Sequence, residues 1–455
     1  MSYTDIIHGQ RRFFKSGKTR SIEFRIEQLR KLKSVIQIHE PKILQALFED
    51  LRKPKFESYI SEIGVLIEEI DFTIKNLEKW STQKSVLTPV ALFPAKGKIY
   101  AEPFGIVAVF APWNYPVQLL LAPVVGAIAA GNCAILKPAD LTSNTQSVLL
   151  NMINSNFDPG FLYAIGGGVA ESEQLLKEKF DYIFFTGSAR VGKIIMRAAA
   201  EHLTPICLEL GGKSPCIVDQ DADIQVAARR IVWAKFFNAG QTCVAPDYVC
   251  VHESIKTEFL TAMKECMDEF FGLHPENSDF FARIVSEKHL ERLVNYLDKE
   301  IIFCGGEFNF KTRYLAPTIL SSVAWDAPVM QEEIFGPIMP VIEFTQISDV
   351  IEQINSRPKP LALYYYSENT TKQNRMIAET SSGGMCINDC IVHLANPHLP
   401  FGGVGSSGMG SYHGHHSFNM LSHKKGVLIN STKLDIPLRY PPYTEKKFRW
   451  LRRFI

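Results

Sequence analysis

Apolar residues in the first 80 positions recur at intervals of three and four, whereas later in the chain they form short runs separated by turns. Leu29, Leu32 and Ile36 follow the helical spacing, and the segment 53–56 interrupts it. Residues spaced in this way form one face of a helix, which packs against a neighbour. The N-terminal segment is therefore predicted to be a helical cover, and no catalytic group is recognised in it.

Residues 82–103 have a different pattern, in which apolar, basic and proline residues alternate, and residues 425–432 have the same character. Both segments are predicted to contain extended strands. Because an edge strand leaves backbone groups unpaired, each segment needs a partner. The two are predicted to pair with each other and to project as a dimerisation ribbon, with a surface hairpin inside one subunit as the alternative.

From residue 104 onward, apolar strands alternate with helices, and the alternation restarts after residue 209. This pattern is typical of a parallel sheet that carries helices on both faces. The predicted fold class is α/β, with two doubly wound parallel-sheet domains and a small β arm. The predicted units are a first α/β domain with its cover (1–81 and 104–209), a second α/β domain (210–390), the arm (82–103 and 425–440), a bridging segment (391–424) and a C-terminal tail (441–455).

Composition narrows the class of protein. Of the 455 residues, 46% are apolar and 21% are charged, and the formal net charge is +1, as in ordinary globular proteins. A charge so close to zero argues against a nucleic-acid partner. Nine scattered cysteines indicate a reducing compartment, and no secretory signal or bilayer-spanning apolar run is recognised. A cytoplasmic protein is predicted, whose basic, aromatic tail either docks on the protein itself or touches a membrane surface.

Cys243 is the leading candidate for a catalytic residue. A run with helical spacing precedes it, Asn238 and Gly240 end that helix, and an apolar strand follows from Tyr248. The polar, turn-forming neighbours of Cys243 distinguish it from the other eight cysteines, which are expected to be buried packing residues. A thiol acts as a nucleophile only as the thiolate, so it needs a base, a positive potential or backbone N–H groups nearby.

Further side chains suit chemistry at this sulfur. Glu209 lies among apolar neighbours at the predicted end of a strand, where burial raises a carboxyl pKa toward that of a general base. Asn114 follows a buried strand and offers an amide that, with the backbone N–H of Cys243, would hold an oxyanion. Glu333 and Phe335 offer a carboxylate for a ribose hydroxyl and a ring for a nicotinamide, although a surface acidic residue is the simpler alternative.

Two strand-to-helix junctions have the composition of a dinucleotide site. Gly187, Ser188 and Gly192 surround a predicted helix start, whose N–H groups would face a diphosphate. Lys137 and Asp140 follow another strand and would meet the hydroxyls of an adenosine ribose, where a carboxylate favours NAD over NADP. Each junction taken alone is more typical of an ordinary turn, because the chain lacks the Gly-x-Gly-x-x-Gly pattern.

No metal site is predicted. The histidine-rich stretch 412–416 lacks the cysteine or carboxylate spacing that would complete one, and a glycine-rich segment precedes it. Cys386 and Cys390 are likewise not expected to bind a metal ion.

Seven motifs, in this order, resemble the signatures of the aldehyde dehydrogenase superfamily, and the resemblance covers nearly the whole chain. They are Pro-Trp-Asn-Tyr-Pro (112–116), Leu-Lys-Pro (136–138), Phe-Thr-Gly-Ser (185–188), Leu-Glu-Leu-Gly-Gly-Lys (208–213), Gly-Gln-Thr-Cys (240–243), Glu-Ile-Phe-Gly-Pro (333–337) and Pro-Phe-Gly-Gly (400–403). Segments 245–248, 407–414 and 439–443 are similar to the class 3 branch, which is usually dimeric and oxidises aromatic and medium- to long-chain aldehydes.

The resemblance implies a cofactor-binding first domain, a catalytic second domain and oxidation of a small-molecule aldehyde with NAD or NADP. Cys243 would be the nucleophile, Glu209 the base and Asn114 the oxyanion donor. The family often has Glu at the position of Asp140, whose shorter side chain keeps NADP open as an alternative to NAD. The implied cofactor contacts are Trp113, Lys137, Asp140, Gly187, Ser188, Val191, Gly192, Glu333 and Phe335. The implied substrate tunnel contains Tyr115, Trp233, Thr242, Ile391, Leu394 and Phe401.

Three alternative functions are weighed against this one. An acylating dehydrogenase would pass the thioester to coenzyme A, but Glu209 argues against it because a hydrolytic base would destroy that intermediate. A cysteine hydrolase or esterase would need a histidine, and none lies near Cys243 in sequence. A non-catalytic scaffold would not need Cys243, Glu209 and Asn114 together.

Overall fold

The structure, a computed structural model, describes residues 2–298 and 300–454. Met1 and Ile455, at the ends of the predicted first unit and of the predicted tail, lie outside the described residues. The strands are β1 (Lys84–Val86), β2 (Lys96–Pro103), β3 (Ile106–Phe110), β4 (Cys133–Lys137), β5 (Leu162–Ala164), β6 (Tyr182–Thr186), β7 (Ile206–Glu209), β8 (Pro215–Val218), β9 (Tyr248–His252), β10 (Ile301–Cys304), β11 (Phe308–Asn309), β12 (Tyr314–Leu315), β13 (Thr318–Ser321), β14 (Ile338–Phe344), β15 (Ala362–Tyr366), β16 (Gly384–Ile387), β17 (Gly408–Met409) and β18 (Ser422–Ile429).

The helices connect these strands and cover both sheets. They are α1 (Tyr3–Lys15), α2 (Ile22–Leu51), α3 (Lys55–Ser58), α4 (Val65–Ser81), α5 (Gln118–Ala130), α6 (Ser143–Asn154), α7 (Val169–Leu175), α8 (Ala189–Ala200), α9 (Ile224–Phe236), α10 (Lys256–Phe271), α11 (Glu287–Val294), α12 (Ile347–Asn355), α13 (Thr370–Glu379), α14 (Gly414–Met420) and α15 (Glu445–Phe454). The predicted N-terminal helices are confirmed, and α2 ends just before the predicted break. A π-helical turn, Tyr59–Gly64, joins α3 to α4.

The first sheet has the order β17-β7-β6-β3-β4-β5. Strands β3 to β7 are parallel to one another, and β3 and β4 are buried along their whole length. Parallel sheets covered on both faces require such apolar strands, which is why the sequence predicted them. The sheet also has an antiparallel edge strand that the sequence did not indicate, because the two-residue β17 returns antiparallel to β7 and pairs Gly408 with Glu209.

The second sheet has the order β10-β13-β14-β9-β8-β15-β16. Its strands are parallel except for β10, which runs antiparallel to β13. Strand β13 was not predicted, whereas the other long strands were. The two doubly wound α/β units are thus confirmed, each with one antiparallel edge strand.

The arm is a three-stranded antiparallel sheet of order β1-β2-β18. Strand β18 pairs with β2 from Ser422 opposite Pro103 to Ile429 opposite Lys96, so the predicted pairing of the two distant segments is confirmed. All nine cysteines are free thiols. In the parts of the chain that the structure covers, no helix combines the length and apolar character needed to cross a membrane.

Candidate active site

The turn that leads to Cys243 has an unusual backbone. After α9 ends, Asn238, Ala239 and Gly240 all adopt positive φ angles, of 53°, 50° and 73°. A Cβ atom added to Gly240 would lie 2.2 Å from the carbonyl oxygen of Gly336, so only glycine fits there. Consecutive left-handed residues are strained and persist where surrounding contacts fix them.

Gln241 supplies those contacts. Its Nε2 donates to the carbonyl oxygens of Asn238 and Arg283, at 3.0 Å each, and its Oε1 accepts from the backbone N–H of Val285 at 2.9 Å. Gln241 is fully buried. The loop that carries Cys243 is therefore held on two sides before any ligand binds.

Cys243 is half-buried and lines two separate cavities, one apolar and one with charged walls. Desolvation, followed by the nearby carboxyl groups of Glu333 and Glu209, raises the pKa of the thiol to about 12. At neutral pH the resting sulfur is thus protonated, and it needs a proton acceptor to become a nucleophile.

Glu209 ends strand β7 and is 2% exposed. Its Oε1 accepts from the thiol of Cys207 at 3.7 Å, while its Oε2 has no hydrogen-bond partner among the described residues. Burial raises the pKa of Glu209 well above its usual range. A buried carboxyl group with a free oxygen is suited to exchange protons with a ligand or a water molecule.

Asn114 lies in the turn after β3 and is also 2% exposed. Its Nδ2 donates to the carbonyl oxygen of Gln241 at 3.0 Å. This hydrogen bond places the amide against the loop of Cys243. Asn114 and Cys243 both line the same cleft as Glu209. One N–H of the Asn114 amide is used in this bond, so the other is available to a ligand.

The first cavity is a tunnel of about 180 Å³ that reaches Cys243. Tyr115 and Thr242 meet in its wall, where the Tyr115 hydroxyl group and Thr242 Oγ1 share a hydrogen bond of 2.5 Å. The six predicted tunnel residues all line this cavity: Tyr115, Trp233, Thr242, Ile391, Leu394 and Phe401. Side chains that the sequence did not indicate also line it: Ile60, Ser61, Val65, Phe237, Tyr412 and His413.

The second cavity is a cleft of about 250 Å³ on the other side of Cys243. Five of the predicted cofactor residues line it, together with the three catalytic candidates: Trp113, Gly187, Ser188, Glu333, Phe335, Asn114, Glu209 and Cys243. The ring centroids of Trp113 and Phe335 are 5.4 Å apart, which gives the cleft an aromatic wall.

The helix start beside the cleft has the predicted form. Ser188 is the N-cap of α8, and its hydroxyl group accepts from the backbone N–H of Val191 at 3.4 Å. Gly192 packs against Leu210, where an added Cβ would lie 2.8 Å from that side chain. The remaining N–H groups of the first turn give this helix end a partial positive charge, which suits a phosphate.

Lys137 and Asp140 lie at the end of β4, and neither belongs to the walls of the cleft. Lys137 is buried, and its Nζ donates to the carbonyl oxygens of Gly167 and Pro138, at 2.6 and 3.1 Å. Asp140 is exposed, with its carboxylate beside Gly168. The two side chains therefore share one edge of the first sheet, and the hydrogen bonds of Lys137 Nζ go to backbone carbonyl groups.

Glu333 lines the same cleft. Desolvation, followed by the charge of Asp247, raises its pKa to about 8. Its carboxylate lies against Gly211, where an added Cβ would be only 2.0 Å from Oε2. A half-buried carboxyl group beside an aromatic wall and a helix N-terminus fits the ribose, ring and diphosphate of a nicotinamide dinucleotide.

Comparison with known proteins identifies this arrangement. The model of the aldehyde dehydrogenase family matches residues 3–427. The chain belongs to that family. The aldehyde dehydrogenase is 48% identical over 446 residues to the 4,4'-diaponeurosporen-aldehyde dehydrogenase of Staphylococcus aureus, with 97% of each chain covered. It is 46% identical over 445 residues to the dimeric NADP-preferring aldehyde dehydrogenase of Mus musculus, with 97% of this chain and 98% of that one covered.

Solved structures of aldehyde dehydrogenases have the same fold as this chain. A substrate-bound state of Staphylococcus aureus AldH superposes with a TM-score of 0.97 at 46% identity, covering 100% of this chain and 99% of that one. An indole-3-acetaldehyde dehydrogenase complexed with NAD⁺ gives 0.86 at 26% identity, with 94% and 89% covered. This aldehyde dehydrogenase oxidises aldehydes with NAD(P)⁺, and the acylating and hydrolase alternatives receive no support.

Both basic side chains in the lining of the dehydrogenase's cleft were missed. His289, whose ring centroid is 5.4 Å from that of Trp113, and Arg292 both line the cleft. Both come from α11, which was not predicted. A signal was available, since Ser286 caps this helix and Leu290 and Leu293 are its buried residues.

The N-terminal cover, in which the sequence indicated no catalytic group, contacts the turn that carries Asn114. Lys53, Glu57 and Glu62 are all buried, and Lys53 Nζ reaches the carbonyl oxygen of Asn114 at 3.1 Å. Charged residues between amphipathic helices are usually solvated, so their position beside the active site could not be predicted from the sequence.

The histidines and the two late cysteines have packing contacts. The ring of His413 stacks on Tyr412 at 4.2 Å, and the thiol of Cys386 lies 3.2 Å from Nδ1 of His393. The sulfur of Cys390 is 3.2 Å from the hydroxyl group of Tyr366. Within residues 2–298 and 300–454, no three metal-ligating side chains come together to hold an ion.

Proposed function

We propose that this aldehyde dehydrogenase oxidises apolar aldehydes, aromatic or medium- to long-chain, through a thioester on Cys243. The observation that carries the proposal is that Cys243 lies where an apolar tunnel meets a cleft lined by Glu209, Asn114 and Glu333. The tunnel suits the aldehyde and the cleft suits the cofactor. The two reactants therefore approach the same sulfur from opposite sides.

The first half of the cycle forms a C–S bond. The thiol proton of Cys243 passes to Glu209, which releases it to solvent, and the thiolate adds to the carbonyl carbon. The oxygen then carries a negative charge, which the free N–H of the Asn114 amide and the backbone N–H of Cys243 stabilise. NAD(P)⁺, when bound, supplies the hydride acceptor. Loss of hydride from the former carbonyl carbon restores the C=O bond and leaves a thioester on Cys243.

The second half of the cycle releases the acid. Glu209 takes a proton from a water molecule as the water oxygen attacks the thioester, and the C–S bond then breaks to restore the Cys243 thiolate. The unpaired Oε2 and the raised pKa of Glu209 support this role, since a base near neutral pH needs both.

The cofactor proposal assigns one part of NAD(P)⁺ to each group of residues. Glu333 would hold the nicotinamide ribose, with Trp113 and Phe335 beside the ring, and Gly187, Ser188, Val191 and Gly192 form the helix start for the diphosphate. Lys137 and Asp140 would meet the adenosine ribose. Because the carboxylate of Asp140 repels a 2′-phosphate, we propose that NAD⁺ is preferred and NADP⁺ is also accepted.

The substrate proposal rests on the tunnel lining. Tyr115, Trp233 and Phe401 are aromatic, and Ile391 and Leu394 are aliphatic. A charged aldehyde would lose its hydration in such a tunnel without gaining a partner, whereas an apolar chain gains from burial. A series of aldehydes of increasing chain length, compared with a carboxylate-bearing semialdehyde, tests this through kcat/KM.

We further propose that the protein is a cytoplasmic homodimer that forms through the arm. We also propose that the domains have the boundaries predicted from the sequence. Leu87, Val90 and Phe93 of the arm are exposed, and β18 pairs on one side only among the described residues. Exposed apolar residues beside an open strand edge support association with a second copy. Sedimentation of the wild type and of a Val90→Asp, Phe93→Asp variant tests the dimer.

A pair of cysteine variants tests the central proposal. Cys243→Ala is expected to abolish both NADH formation and acid release. Cys304, on β10, is the other half-buried thiol and lines neither cavity, so Cys304→Ala is the matched control and should retain activity. NADH formation at an undiminished rate by Cys243→Ala would exclude Cys243 as the nucleophile.

A further inference from the structure

A fully buried ion pair lies behind the oxyanion donor. Lys53 Nζ and Glu62 Oε1 are 2.7 Å apart, and both side chains are 0% exposed. Glu62 belongs to the π-helical turn Tyr59–Gly64, a geometry that often occurs at functional sites. Because desolvation offsets most of the attraction within such a pair, its own energy is a weak reason for its presence. Its other contacts are more informative.

Both members of the pair also bind the turn that carries Asn114. Lys53 Nζ donates to the carbonyl oxygen of Asn114 at 3.1 Å and lies 4.1 Å from the ring centroid of Tyr115. Glu62 Oε2 accepts from the backbone N–H groups of residues 117 and 118, at 2.8 and 3.2 Å. The pair thus holds the turn between β3 and α5 at its start and at its end.

The same turn is joined to the catalytic loop. Asn238 Nδ2 donates to the carbonyl oxygen of Asn114 at 2.9 Å and to that of Gln241 at 3.2 Å. The backbone N–H of Asn238 in turn donates to Glu57 Oε1 at 2.7 Å. The carbonyl of Asn114 therefore accepts from the cover and from the loop together, while its side-chain amide donates to Gln241.

We propose that Lys53 and Glu62 are positioning residues for Asn114. They fix the backbone of the 114–118 turn, so that the Asn114 amide stands beside the Cys243 loop before the aldehyde arrives. Preorganised donors stabilise a developing oxyanion most effectively because they need not reorient during the reaction. The inference rests on the proposed role of Asn114.

A double-mutant cycle tests this inference through the pre-steady-state rate of NADH formation. The variant Lys53→Met, Glu62→Gln removes both charges together, so neither is left buried alone. It is expected to slow this rate by about 10- to 100-fold, since misplacement by about 1 Å has effects of that size. Asn114→Ala should slow it by about 10²- to 10³-fold. In the Asn114→Ala background, the Lys53 and Glu62 changes should slow NADH formation by less than about a further threefold. The reason is that they act by positioning an amide that this background already lacks.

Asp50→Asn is the matched control. Asp50 is another buried carboxylate of the cover, but it accepts from Thr145 on α6 at 2.8 Å and does not contact the 114–118 turn. This variant is expected to lower the midpoint of thermal unfolding while leaving the rate of NADH formation within about twofold of wild type. The affinity for NAD⁺, measured by fluorescence, should be unchanged in the Lys53, Glu62 variant.

The outcomes separate the inference from the proposed function. Equal slowing by the Lys53, Glu62 changes in the presence and absence of the Asn114 side chain would overturn the positioning role. If Asn114→Ala alone does not slow NADH formation, the proposed role of Asn114 fails and the inference fails with it. Should this variant not fold, Lys53→Gln, Glu62→Gln, which also removes both charges but keeps hydrogen-bonding groups at both positions, enters the same cycle with the same criteria.

Discussion

The carboxyl group of Glu209 and the sulfur of Cys243 line one cleft, although Glu209 ends a strand of the first sheet and Cys243 precedes a strand of the second. The proposed base and the proposed nucleophile are thus carried by different sheets. The proposed reaction therefore depends on the packing of the two sheets, and each residue can be removed separately to isolate one half of the cycle.

Glu209→Gln is expected to form about one equivalent of NADH per active site and then stall. The amide keeps the shape of the carboxyl group but cannot take a proton from water, so the thioester persists. Rapid mixing of enzyme, NAD⁺ and aldehyde measures the burst and the steady rate. Glu343→Gln, a change at a largely exposed carboxylate on β14, is the control and should turn over normally. Steady turnover by Glu209→Gln at the wild-type rate would contradict the assignment.

The reactivity of Cys243 in the free enzyme should rise with pH. Because its pKa is raised to about 12, the thiolate fraction grows steadily between about pH 7 and 10 without reaching a plateau. Alkylation by iodoacetamide measures this, in a Cys304→Ala background that removes the other half-buried thiol. After desolvation, the carboxylate of Glu333 is the largest contributor to the raised pKa of Cys243. Glu333→Gln removes this carboxylate, so the increase in alkylation rate should begin at a lower pH. A plateau already reached at about pH 7 would show that the thiol is activated without the cofactor.

Gly240→Ala should destabilise the enzyme and impair it. The new Cβ would collide with the carbonyl oxygen of Gly336, and the positive φ angle adds a conformational cost. Gly17 is in the left-handed region, with a φ angle of 80°, and no atom lies within 4 Å of an added Cβ, so Gly17→Ala measures the conformational cost alone. We expect a loss of about 1 kcal/mol in the free energy of unfolding for Gly17→Ala and of about 3 kcal/mol or more for Gly240→Ala. Equal losses in chemical denaturation would argue against the collision.

Asp140→Asn should shift the cofactor preference toward NADP⁺. Removing the carboxylate removes its repulsion of a 2′-phosphate, and we expect the ratio of kcat/KM for NADP⁺ to that for NAD⁺ to rise about tenfold. Glu173→Gln, at an exposed carboxylate on α7, changes the net charge equally and should leave the ratio unchanged. An unchanged ratio in Asp140→Asn would show that the adenosine ribose does not bind at this edge of the sheet.

The sequence predicted the central strands because each is a short apolar run between turns, and burial on both faces of a parallel sheet leaves that pattern. It did not predict β17, which has two residues and exists only because Gly408 meets Glu209. Strand β13 has four residues and lies between irregular segments, so its pattern did not stand out. Strand β17, at the edge of the first sheet, depends on a partner that is distant in sequence.

Some residues of the candidate site could likewise be predicted from the sequence, and others could not. Cys243, Glu209 and Asn114 were recognisable because each is a chemically distinctive residue beside a turn. Lys53 and Glu62 were not, because their burial depends on a pairing that only the folded chain provides. His289 was missed for a different reason, since the helix that carries it has a cap and two buried leucines but is only eight residues long.

The position of β17 constrains the order in which the enzyme can be completed during synthesis. The strand that ends at Glu209 forms the edge of the first sheet until Gly408 and Met409 join it, and these residues lie in the last part of the chain. Domains tend to form from the N-terminus as the ribosome extends the chain. The strand bearing the base thus keeps an open side through most of translation, and a nascent chain cut short before Gly408 would expose it.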